Sequence, residues 1–278
     1  MKAMLNAVWV AAMASTVTIS GALAQDRLQT ILARGKILVG TGSTNPPWHF
    51  KDDSGTLVGY DVDMGHLLAK AIFDDPEKVE YVIQGSDARI PNVLTDKVDI
   101  TCQFMTVTAG RAQQVNFTIP YYREGVGLLL MKSGKYKSYE DVKAAGSAVT
   151  VSVLQNVYAE EMVHKALPEA KVDQYESVDL MYQALNSGRA DAAATDMSST
   201  KWFVAQNPDQ YVSGGYGWDA QTYSCAVKKG DPDFLHFVDI VFREAMTGVD
   251  FATYAASFKK WFGEDPPAPQ VGFPGELR

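Results

Sequence analysis

Short apolar runs and amphipathic helical segments alternate along this chain, and this alternation restricts the fold more than any other feature of the sequence. The strand-like runs are residues 36–41, 79–83, 98–104, 125–131, 149–153 and 190–194. Helix-spaced apolar residues lie between most of these runs. The alternation predicts an α/β fold in which helices cover both faces of a mainly parallel sheet.

Two further helices are predicted after the last apolar run. Asp231 and Pro232 have the residue types of an N-cap and a first helical position, and apolar residues follow on one face. The next amphipathic segment contains Phe251 and Phe262 and ends at Gly263. The chain has no solenoid-type repeat and no long linker, and its 278 residues are enough for two lobes.

The N-terminal 24 residues resemble a cleavable secretory signal. Lys2 precedes an apolar run at 7–17, and Ala22 and Ala24 supply the small residues of a cleavage site. The apolar run is too short for a permanent membrane span, and the absence of cysteine at the cleavage point argues against a lipid anchor. We therefore expect an exported protein whose mature chain begins at Gln25.

Charge and cysteine content narrow the classes of partner and compartment. The chain carries 33 acidic and 25 basic residues, a formal net charge of −8, which disfavours nucleic acid and anionic lipid as partners. Cys102 and Cys225 would meet an oxidising compartment after export. Both lie in apolar segments, so these residues alone leave a disulfide and two buried thiols equally open.

Arg111 is the best candidate for a carboxylate ligand. It follows Thr108, which has the residue type of a cap for a helix continuing to Val115. A helix start favours an anion, and a planar guanidinium can hold a carboxylate through two parallel hydrogen bonds. The Thr106 hydroxyl could add a third bond, although a surface arginine and a turn threonine would give the same pattern.

Asp196 is the matching candidate for a cation. It stands at the carboxyl end of an apolar strand, where ligands collect in open α/β sheets. An amino acid is a zwitterion, so Arg111 on one lobe and Asp196 on the other would let it bridge the lobes and hold them closed. The alternative role for Asp196 is the N-cap of the helix at 198–204.

Aromatic residues and histidines give weaker indications. Trp48 and Phe50, within NPPWHF, could form an apolar wall for a ligand or could pack beneath their loop. Asp87 is the only acid, and His49 the only histidine, near the expected ligand cleft that could serve in acid–base chemistry. The sequence has no nucleophile elbow, no paired metal-ligand spacing and no phosphate loop, so we expect neither an enzyme nor a cofactor.

Several spaced motifs carry a family resemblance. They are GYDVDMGHLLAKAI at 59–72, ARIPNVLTDKVDI at 88–100, MTVTAGR at 105–111, NFTIPYY at 116–122, SGRADAA at 187–193, AVKKGDPDF at 226–234 and KKWFG at 259–263. Together they resemble the family-three periplasmic amino-acid-binding proteins, the solute-binding components of ABC importers. The resemblance implies a two-lobed, type II periplasmic-binding-protein-like fold with two hinge crossovers. Lobe one would comprise 25–120 and 224–278, and lobe two 121–223.

The resemblance also implies roles for individual residues. Arg111 and Thr106 match the ligands of the α-carboxylate, and Asp196 matches the ligand of the α-ammonium group. VDITC, SDARIP and YSCAVKKGDPDF are most similar to the glutamate/aspartate-type branch. That branch implies a disulfide between Cys102 and Cys225, and it implies that Ser86 and Arg89 contact the ligand side chain.

Some positions depart from the family pattern. Gly42 stands where the acidic-ligand branch has arginine, and Asn45 and Ser86 stand where many relatives have aromatic rings. Residues 154–156 read LQN in place of a Gly-Thr-Thr loop. A polar or modified amino acid is therefore as well matched as glutamate, with Arg89, Gln103, Gln155 or Asn156 as its partners.

These features together predict the function. We expect a periplasmic, monomeric protein that captures a polar amino acid or close analogue and delivers it to an inner-membrane ABC permease. A ligand-reporting partner of a sensor or chemoreceptor is the alternative within the same fold. A dehydratase-like enzyme on that fold is the alternative from a different class.

Overall fold

The protein is described by a computed structural model that covers residues 26–272. The predicted secretory signal at 1–24 lies outside these residues. The helices are α1 (Arg27–Arg34), α2 (Tyr60–Phe73), α3 (Arg89–Leu94), α4 (Ala109–Ala112), α5 (Tyr139–Ala145), α6 (Ala159–Ala166), α7 (Val178–Asn186), α8 (Met197–Gln206), α9 (Pro232–Thr247) and α10 (Phe251–Phe262). The strands are β1 (Ile37–Thr41), β2 (Thr44–Asn45), β3 (His49–Lys51), β4 (Leu57–Val58), β5 (Val79–Ile83), β6 (Ile100–Thr106), β7 (Asn116–Phe117), β8 (Tyr122–Met131), β9 (Thr150–Leu154), β10 (Lys171–Tyr175), β11 (Ala192–Asp196) and β12 (Tyr211–Val227).

The strands form one large sheet and one small sheet. The large sheet has the order β10-β9-β11-β8-β12-β6-β1-β5, with β7 paired to β12, and the small sheet is β2-β3-β4. β1 pairs in parallel with β5 and β6, and β9 pairs in parallel with β10 and β11. β8 and β12 pair antiparallel with each other and with their outer neighbours. The predicted α/β class is confirmed, but the sheet is mixed and not mainly parallel, because these two long strands lie at its centre.

Buried apolar residues divide into two groups on either side of the central strands. The first group draws on residues 31–121 and 223–261, and the second on residues 126–218. We call the part around the first group lobe one and the part around the second lobe two. This division parallels the predicted lobes, whose boundaries at 120/121 and 223/224 stay a prediction.

The ends of the two C-terminal helices follow from local sequence, as predicted. The Asp231 side chain accepts a hydrogen bond from the Phe234 N–H, and Pro232 is the first residue of α9. Gly263 ends α10 in the left-handed conformation, with φ 76°. Buried residues of α9 pack on lobe one, so the chain's C-terminal part completes the first core.

A disulfide joins Cys102 on β6 to Cys225 on β12, with both residues in the lobe-one core. The bond closes a chain segment with a sequence separation of 123 residues. Cross-linking residues so far apart removes much conformational freedom from the unfolded chain. The link fixes the lobe-one end of β12 to its neighbouring strand.

Polar contacts hold the two lobes against each other at several points. The Trp48 indole N–H donates to Ser198 Oγ at 3.1 Å, and the Ser199 hydroxyl donates to the Pro46 carbonyl at 3.0 Å. The Thr108 and Tyr158 hydroxyls are 3.1 Å apart. The cleft between the lobes is therefore closed. Within residues 26–272, no helix has the length and apolar character that a membrane crossing requires.

Candidate ligand-binding site

A cavity of about 650 Å³ lies between the lobes. Lobe one contributes residues from β2, α3, β6 and the turn that leads into α4, and lobe two contributes residues from β9, α6, α7 and β11. The two central strands, β8 and β12, form the remaining wall. A cavity of this size can enclose a small polar molecule.

Arg111 faces this cavity from the short helix α4. The Thr108 hydroxyl caps the helix by accepting a hydrogen bond from the Arg111 N–H at 3.3 Å, as predicted. The helix ends at Ala112 and not at Val115. Its few backbone amides therefore contribute little to anion binding, and the guanidinium is the main group that could bind an anion. Arg111 Nη1 donates to the Thr106 carbonyl at 2.8 Å, which fixes the direction of the side chain. Burial lowers the pKa of Arg111, but a guanidinium stays charged at neutral pH.

Thr106 also lines the cavity, and its hydroxyl already forms a hydrogen bond with a residue of the neighbouring strand β12. It donates to Gln221 Oε1 on β12 at 2.6 Å. A hydroxyl has a single proton, so Thr106 can donate to a ligand carboxylate only by turning away from Gln221. In the present arrangement its oxygen can still accept a hydrogen bond.

Asp196 closes the opposite side of the cavity. It occupies the N-cap position of α8, as the alternative considered for it predicted, but its side chain makes no capping hydrogen bond. Its carboxyl instead accepts a hydrogen bond from the Tyr223 hydroxyl. Burial, reinforced by the charge of Glu124, raises the pKa of Asp196 to about 7. A buried carboxyl of this kind gains from a cationic partner.

Arg89 is a second cation in the cavity, with 5% of its surface exposed. Its Nε donates to the Ser86 carbonyl at 2.8 Å and its Nη1 to the Gln103 carbonyl at 3.1 Å. The guanidinium carbon lies 5.6 Å from the centre of the Phe104 ring. Burial, followed by the charge of Arg111, lowers the pKa of Arg89 to about 9, so Arg89 is protonated at neutral pH.

The cavity wall at Phe104 has a strained backbone. Phe104 has φ 34°, in the left-handed region that L residues rarely adopt. Its N–H donates to Asp61 Oδ2 at 2.9 Å, and its ring stacks on His49 with the centres 4.9 Å apart. Asp61 also accepts from the Tyr121 hydroxyl at 2.6 Å. The buried carboxylate of Asp61 thus holds Phe104 in place.

Of the other predicted ligand contacts, only Asn156 lines the cavity. Trp48 does not, since it is fully buried in the lobe-one core against Tyr60, Tyr122, Tyr223 and Phe262. Gln103 does not either, because its amide hydrogen-bonds Gln84 in a buried network. Ser86 offers its carbonyl to Arg89 and lies outside the lining, and the Gln155 side chain is exposed.

Three residues at the cavity were not among the predicted contacts. Asn45 hydrogen-bonds the Asp196 carboxyl, Gln221 accepts from Thr106, and Tyr158 lies over Arg111. The departure of Asn45 from the family pattern was a signal in the sequence. Tyr158 and Gln221 gave no such signal, because their partners are distant along the chain.

Gly42 is explained by its neighbour His49. A Cβ atom added at Gly42 would lie 2.5 Å from the His49 ring, which fills the space a side chain would need. His49 Nδ1 is 2.8 Å from Asp61 Oδ2, and both residues are buried. Asp87 is exposed and lies outside the cavity lining. Neither residue considered for acid–base chemistry therefore reaches the cavity.

Seven charged residues line the cavity, and three of them, Lys165, Glu161 and Asp219, pair with one another. Arg123 is exposed at the rim. Arg111, Arg89 and Asp196 form no ion pair within residues 26–272, so buried charges of both signs are left for a ligand. Between residues 26 and 272, no group of three or more histidine, cysteine or acidic side chains could hold a metal ion. The arrangement can bind a carboxylate and an ammonium group within one cavity.

Comparisons with known proteins agree with this geometry. Residues 37–264 match the family described as bacterial extracellular solute-binding proteins, family 3. An L-glutamate/L-aspartate-binding protein of Pseudomonas aeruginosa is 30% identical over 262 residues, which cover 88% of this chain and 82% of that protein. An ABC transporter glutamine-binding protein of Bacillus subtilis is 28% identical over 243 residues, which cover 87% and 86%.

A solved structure gives the same result for the fold. The ancestral amino acid-binding protein described as a precursor of cyclohexadienyl dehydratase superposes with a TM-score of 0.75 at 32% identity, covering 84% of this chain and 99% of that chain. The predicted two-lobed type II fold is thereby confirmed. The names of the family and of these relatives denote binding proteins and not enzymes. The protein therefore belongs to the bacterial extracellular solute-binding proteins of family 3.

Proposed function

We propose that this protein captures a polar amino acid, or a close analogue, between its lobes and delivers it to an ABC permease of the inner membrane. One observation carries the proposal. Arg111 from lobe one and Asp196 from lobe two face the same closed cavity, and neither has a partner of opposite charge among the described residues. A free amino acid carries both of the missing charges.

The α-carboxylate would bind to Arg111. A hydrogen bond to a charged group contributes about 1.5 to 3 kcal/mol, and a guanidinium can offer two to one carboxylate. The α-ammonium group would bind to the Asp196 carboxyl, which is nine-tenths buried and held by Tyr223. Because these groups belong to different lobes, the bound molecule would stabilise the closed form.

The ligand side chain would contact Arg89, Phe104 and Asn156. Arg89 favours an anionic or amide oxygen, and Asn156 can donate or accept a hydrogen bond. The relatives named above bind glutamine, or glutamate and aspartate, by their names. We propose the same class of polar amino acid for this chain, with the individual ligand decided by these three residues.

The lobes would move about the two central strands. We propose lobe one as 25–120 plus 224–278 and lobe two as 121–223, which the separation of the two core groups supports. Opening would break the contacts of Trp48 with Ser198 and of Thr108 with Tyr158. A permease could then distinguish the loaded form from the empty form by the relative position of the lobes.

Export and assembly complete the proposal. We propose that residues 1–24 direct the chain to the periplasm, that it acts there as a monomer, and that an ABC permease is its membrane partner. Family membership supports an extracytoplasmic location, since the family consists of extracellular solute-binding proteins. Arg111 and Asp196 line a single cavity in the described part of the chain, so one amino acid per monomer is the expected stoichiometry.

Thermal unfolding tests the proposal. The chain from residue 25, freed of bound ligand by refolding, is heated with each of the common amino acids, dicarboxylic acids and betaines. A compound at 1,000 times its dissociation constant should stabilise the protein by about 4 kcal/mol. Arg111→Ala should weaken binding at least about 100-fold, because two charged hydrogen bonds are lost.

Arg243→Ala is the matched control, since Arg243 is an exposed arginine on α9 outside the cavity lining. It should leave the stabilisation unchanged. A panel in which no amino acid stabilises the protein would contradict the proposed function. So would a response that Arg111→Ala leaves intact.

A further inference from the structure

Two buried carboxyl groups, Glu124 and Asp196, lie on adjacent strands; Asp196 lines the ligand cavity, and Glu124 lies outside its lining. Asp196 on β11 pairs with Val126 on β8, and Glu124 is two residues before Val126. Positions two apart on a strand share a face, so both side chains belong to the same face of the sheet as diagonal neighbours. Glu124 is 7% exposed and Asp196 is 8% exposed.

Glu124 caps the helix that Asp196 would otherwise cap. Asp196 occupies the N-cap position of α8 without a capping bond from its side chain. Glu124 Oε2 instead accepts a hydrogen bond from the Ser198 N–H at 3.4 Å, and its Oε1 accepts from the Gly125 N–H at 3.0 Å. A carboxylate from the neighbouring strand thus satisfies the helix start and leaves the Asp196 carboxyl directed at the cavity.

The charged and titratable groups around this pair include no buried cation. Asp61 on α2, Tyr182 on α7 and Tyr223 on β12 face Asp196, and Tyr122 on β8 faces both carboxyl groups. Arg123, next to Glu124 on β8, is exposed and forms no ion pair among the described residues. Lys201 on α8 acts on Glu124 only at longer range, because its ammonium group is exposed and lies 3.8 Å from Glu264. Among residues 26–272, neither Glu124 nor Asp196 forms an ion pair. Two buried negative charges on adjacent strands, with no paired cation, are unfavourable.

We propose that Glu124 is a positioning residue for the ammonium site: it takes over the capping of α8, and in the closed empty protein it shares one proton with Asp196. Binding of an ammonium group then releases that proton to solvent. The exchange conserves charge, since a pair with one proton carries a charge of −1, and a fully ionised pair with one ammonium group also carries −1. The inference rests on the proposed function, because the entering cation is the ligand's amino group.

The titration behaviour of both groups is consistent with a shared proton. Burial raises the pKa of Glu124, and burial together with the charge of Glu124 raises the pKa of Asp196. An incoming ammonium group favours the ionised form and so lowers the pKa of the pair again. Such a pair titrates as one unit, so the proton belongs to both groups and not to either alone.

Carboxyl NMR of the empty protein tests the shared proton without any ligand. The protein is labelled with ¹³C at the aspartate and glutamate carboxyl groups, and Asp196→Asn and Glu124→Gln assign the two signals. We expect one titration step of the pair near neutral pH. We expect Glu124→Gln to lower the midpoint of the Asp196 titration by at least about one pH unit. Glu264→Gln, which removes an exposed acid close to Lys201, should leave it unchanged. Titration of both carboxyls near their ordinary values of about 4 would overturn the inference.

Calorimetry tests the release of the proton. L-Glutamate and L-glutamine are titrated into the protein at pH 6.5 in phosphate and in imidazole buffer, whose ionisation enthalpies differ. We expect about 0.5 to 1 proton released per molecule bound, and clearly less in Glu124→Gln. Binding without proton release would overturn the inference. If neither compound binds, that result counts against glutamate and glutamine as the ligand class of the proposed function, and the NMR titration still decides the shared proton.

Discussion

Tyr158 of lobe two lies over the guanidinium of Arg111 of lobe one, with 5.4 Å between the guanidinium carbon and the ring centre. The Tyr158 hydroxyl is also 3.1 Å from the hydroxyl of Thr108, which caps the helix that carries Arg111. One aromatic side chain from lobe two thus contacts both Arg111 and the residue that caps its helix. Because these contacts join the two lobes, opening of the proposed cleft would break them, and we expect Tyr158 to couple closure to the position of the Arg111 side chain.

Removal of the Tyr158 hydroxyl should weaken ligand binding. Tyr158→Phe keeps the ring over Arg111 but loses the bond to Thr108, worth about 1 kcal/mol or a fivefold rise in Kd. Tyr158→Leu removes the cation–π contact as well and should raise Kd further. Isothermal titration with the amino acid selected by the unfolding panel measures both. Tyr216→Phe, an exposed tyrosine of lobe two, is the control and should bind normally.

Arg89 should set the preference between acidic and amide side chains. Arg89→Met removes a buried cation while keeping an apolar stem against Phe104, so it should shift the ratio of the Kd values for L-glutamate and L-glutamine about tenfold or more against glutamate. Arg89→Lys keeps the charge and should change this ratio less. The ratio is measured by competition titration. An unchanged ratio in Arg89→Met would show that Arg89 is not a ligand contact.

Loss of the disulfide should lower stability without changing the site. The double variant Cys102→Ser, Cys225→Ser should have a free energy of unfolding lower by about 2 to 5 kcal/mol, measured by denaturant titration. Both cysteines are buried in the lobe-one core and neither lines the cavity, so Kd should stay the same. A large rise in Kd with intact folding would instead show that the bond controls the cleft.

The empty protein should lose stability as pH rises, because of Asp196. Its pKa is raised to about 7 in the folded state against about 3.9 in the unfolded chain. Below pH 4 the carboxyl is protonated in both states and contributes nothing. Between about pH 4 and 7 the Asp196 carboxyl is ionised in the unfolded chain and protonated in the folded protein. The free energy of unfolding therefore falls by at most about 1.4 kcal/mol per pH unit in this range, and the fall is complete above pH 7.

The variant Asp196→Asn removes that pH dependence. Its free energy of unfolding, measured without ligand at pH 4.5 and pH 8, should exceed that of the unmodified protein by more at pH 8 than at pH 4.5. Asp191→Asn changes an exposed aspartate immediately before β11 and serves as the comparison for the difference between the two pH values. An equal difference at both pH values would contradict a raised pKa for Asp196.

The sequence was sufficient to place Arg111 and Asp196 at the cavity, where their binding roles stay a prediction, but not to place the residues that support them. Arg111 and Asp196 could be identified because the cap at Thr108 and the end of an apolar strand are local patterns. Trp48 could not be placed, since its packing depends on Tyr122, Tyr223 and Phe262 from distant parts of the chain. A loop sequence does not reveal whether an aromatic ring turns towards the core or towards a ligand.

β12 was the largest element that the sequence did not indicate. Its glycines at 214, 215 and 217 interrupt the apolar pattern by which strands are recognised. Pairing with β8 along most of its length compensates for the low strand propensity of those residues. The prediction of a mainly parallel sheet was wrong for the same reason, because this strand runs antiparallel to both of its long neighbours.

The disulfide constrains β12 covalently at its lobe-one end and leaves its lobe-two end without such a constraint. Cys225 is tied covalently to β6, whereas the pairing of β12 with β8 shifts register between Trp218 and Gln221, where Asp219 has φ 53°. The pairing with β8 also shifts between Ser213 and Gly217, within lobe two, so the shift at 218–221 is the one that lies nearer to the disulfide and to lobe one. We therefore expect the hinge of the protein to lie at 218–221, next to the cavity. A small change of backbone angle there would displace the distant end of lobe two by a much larger distance.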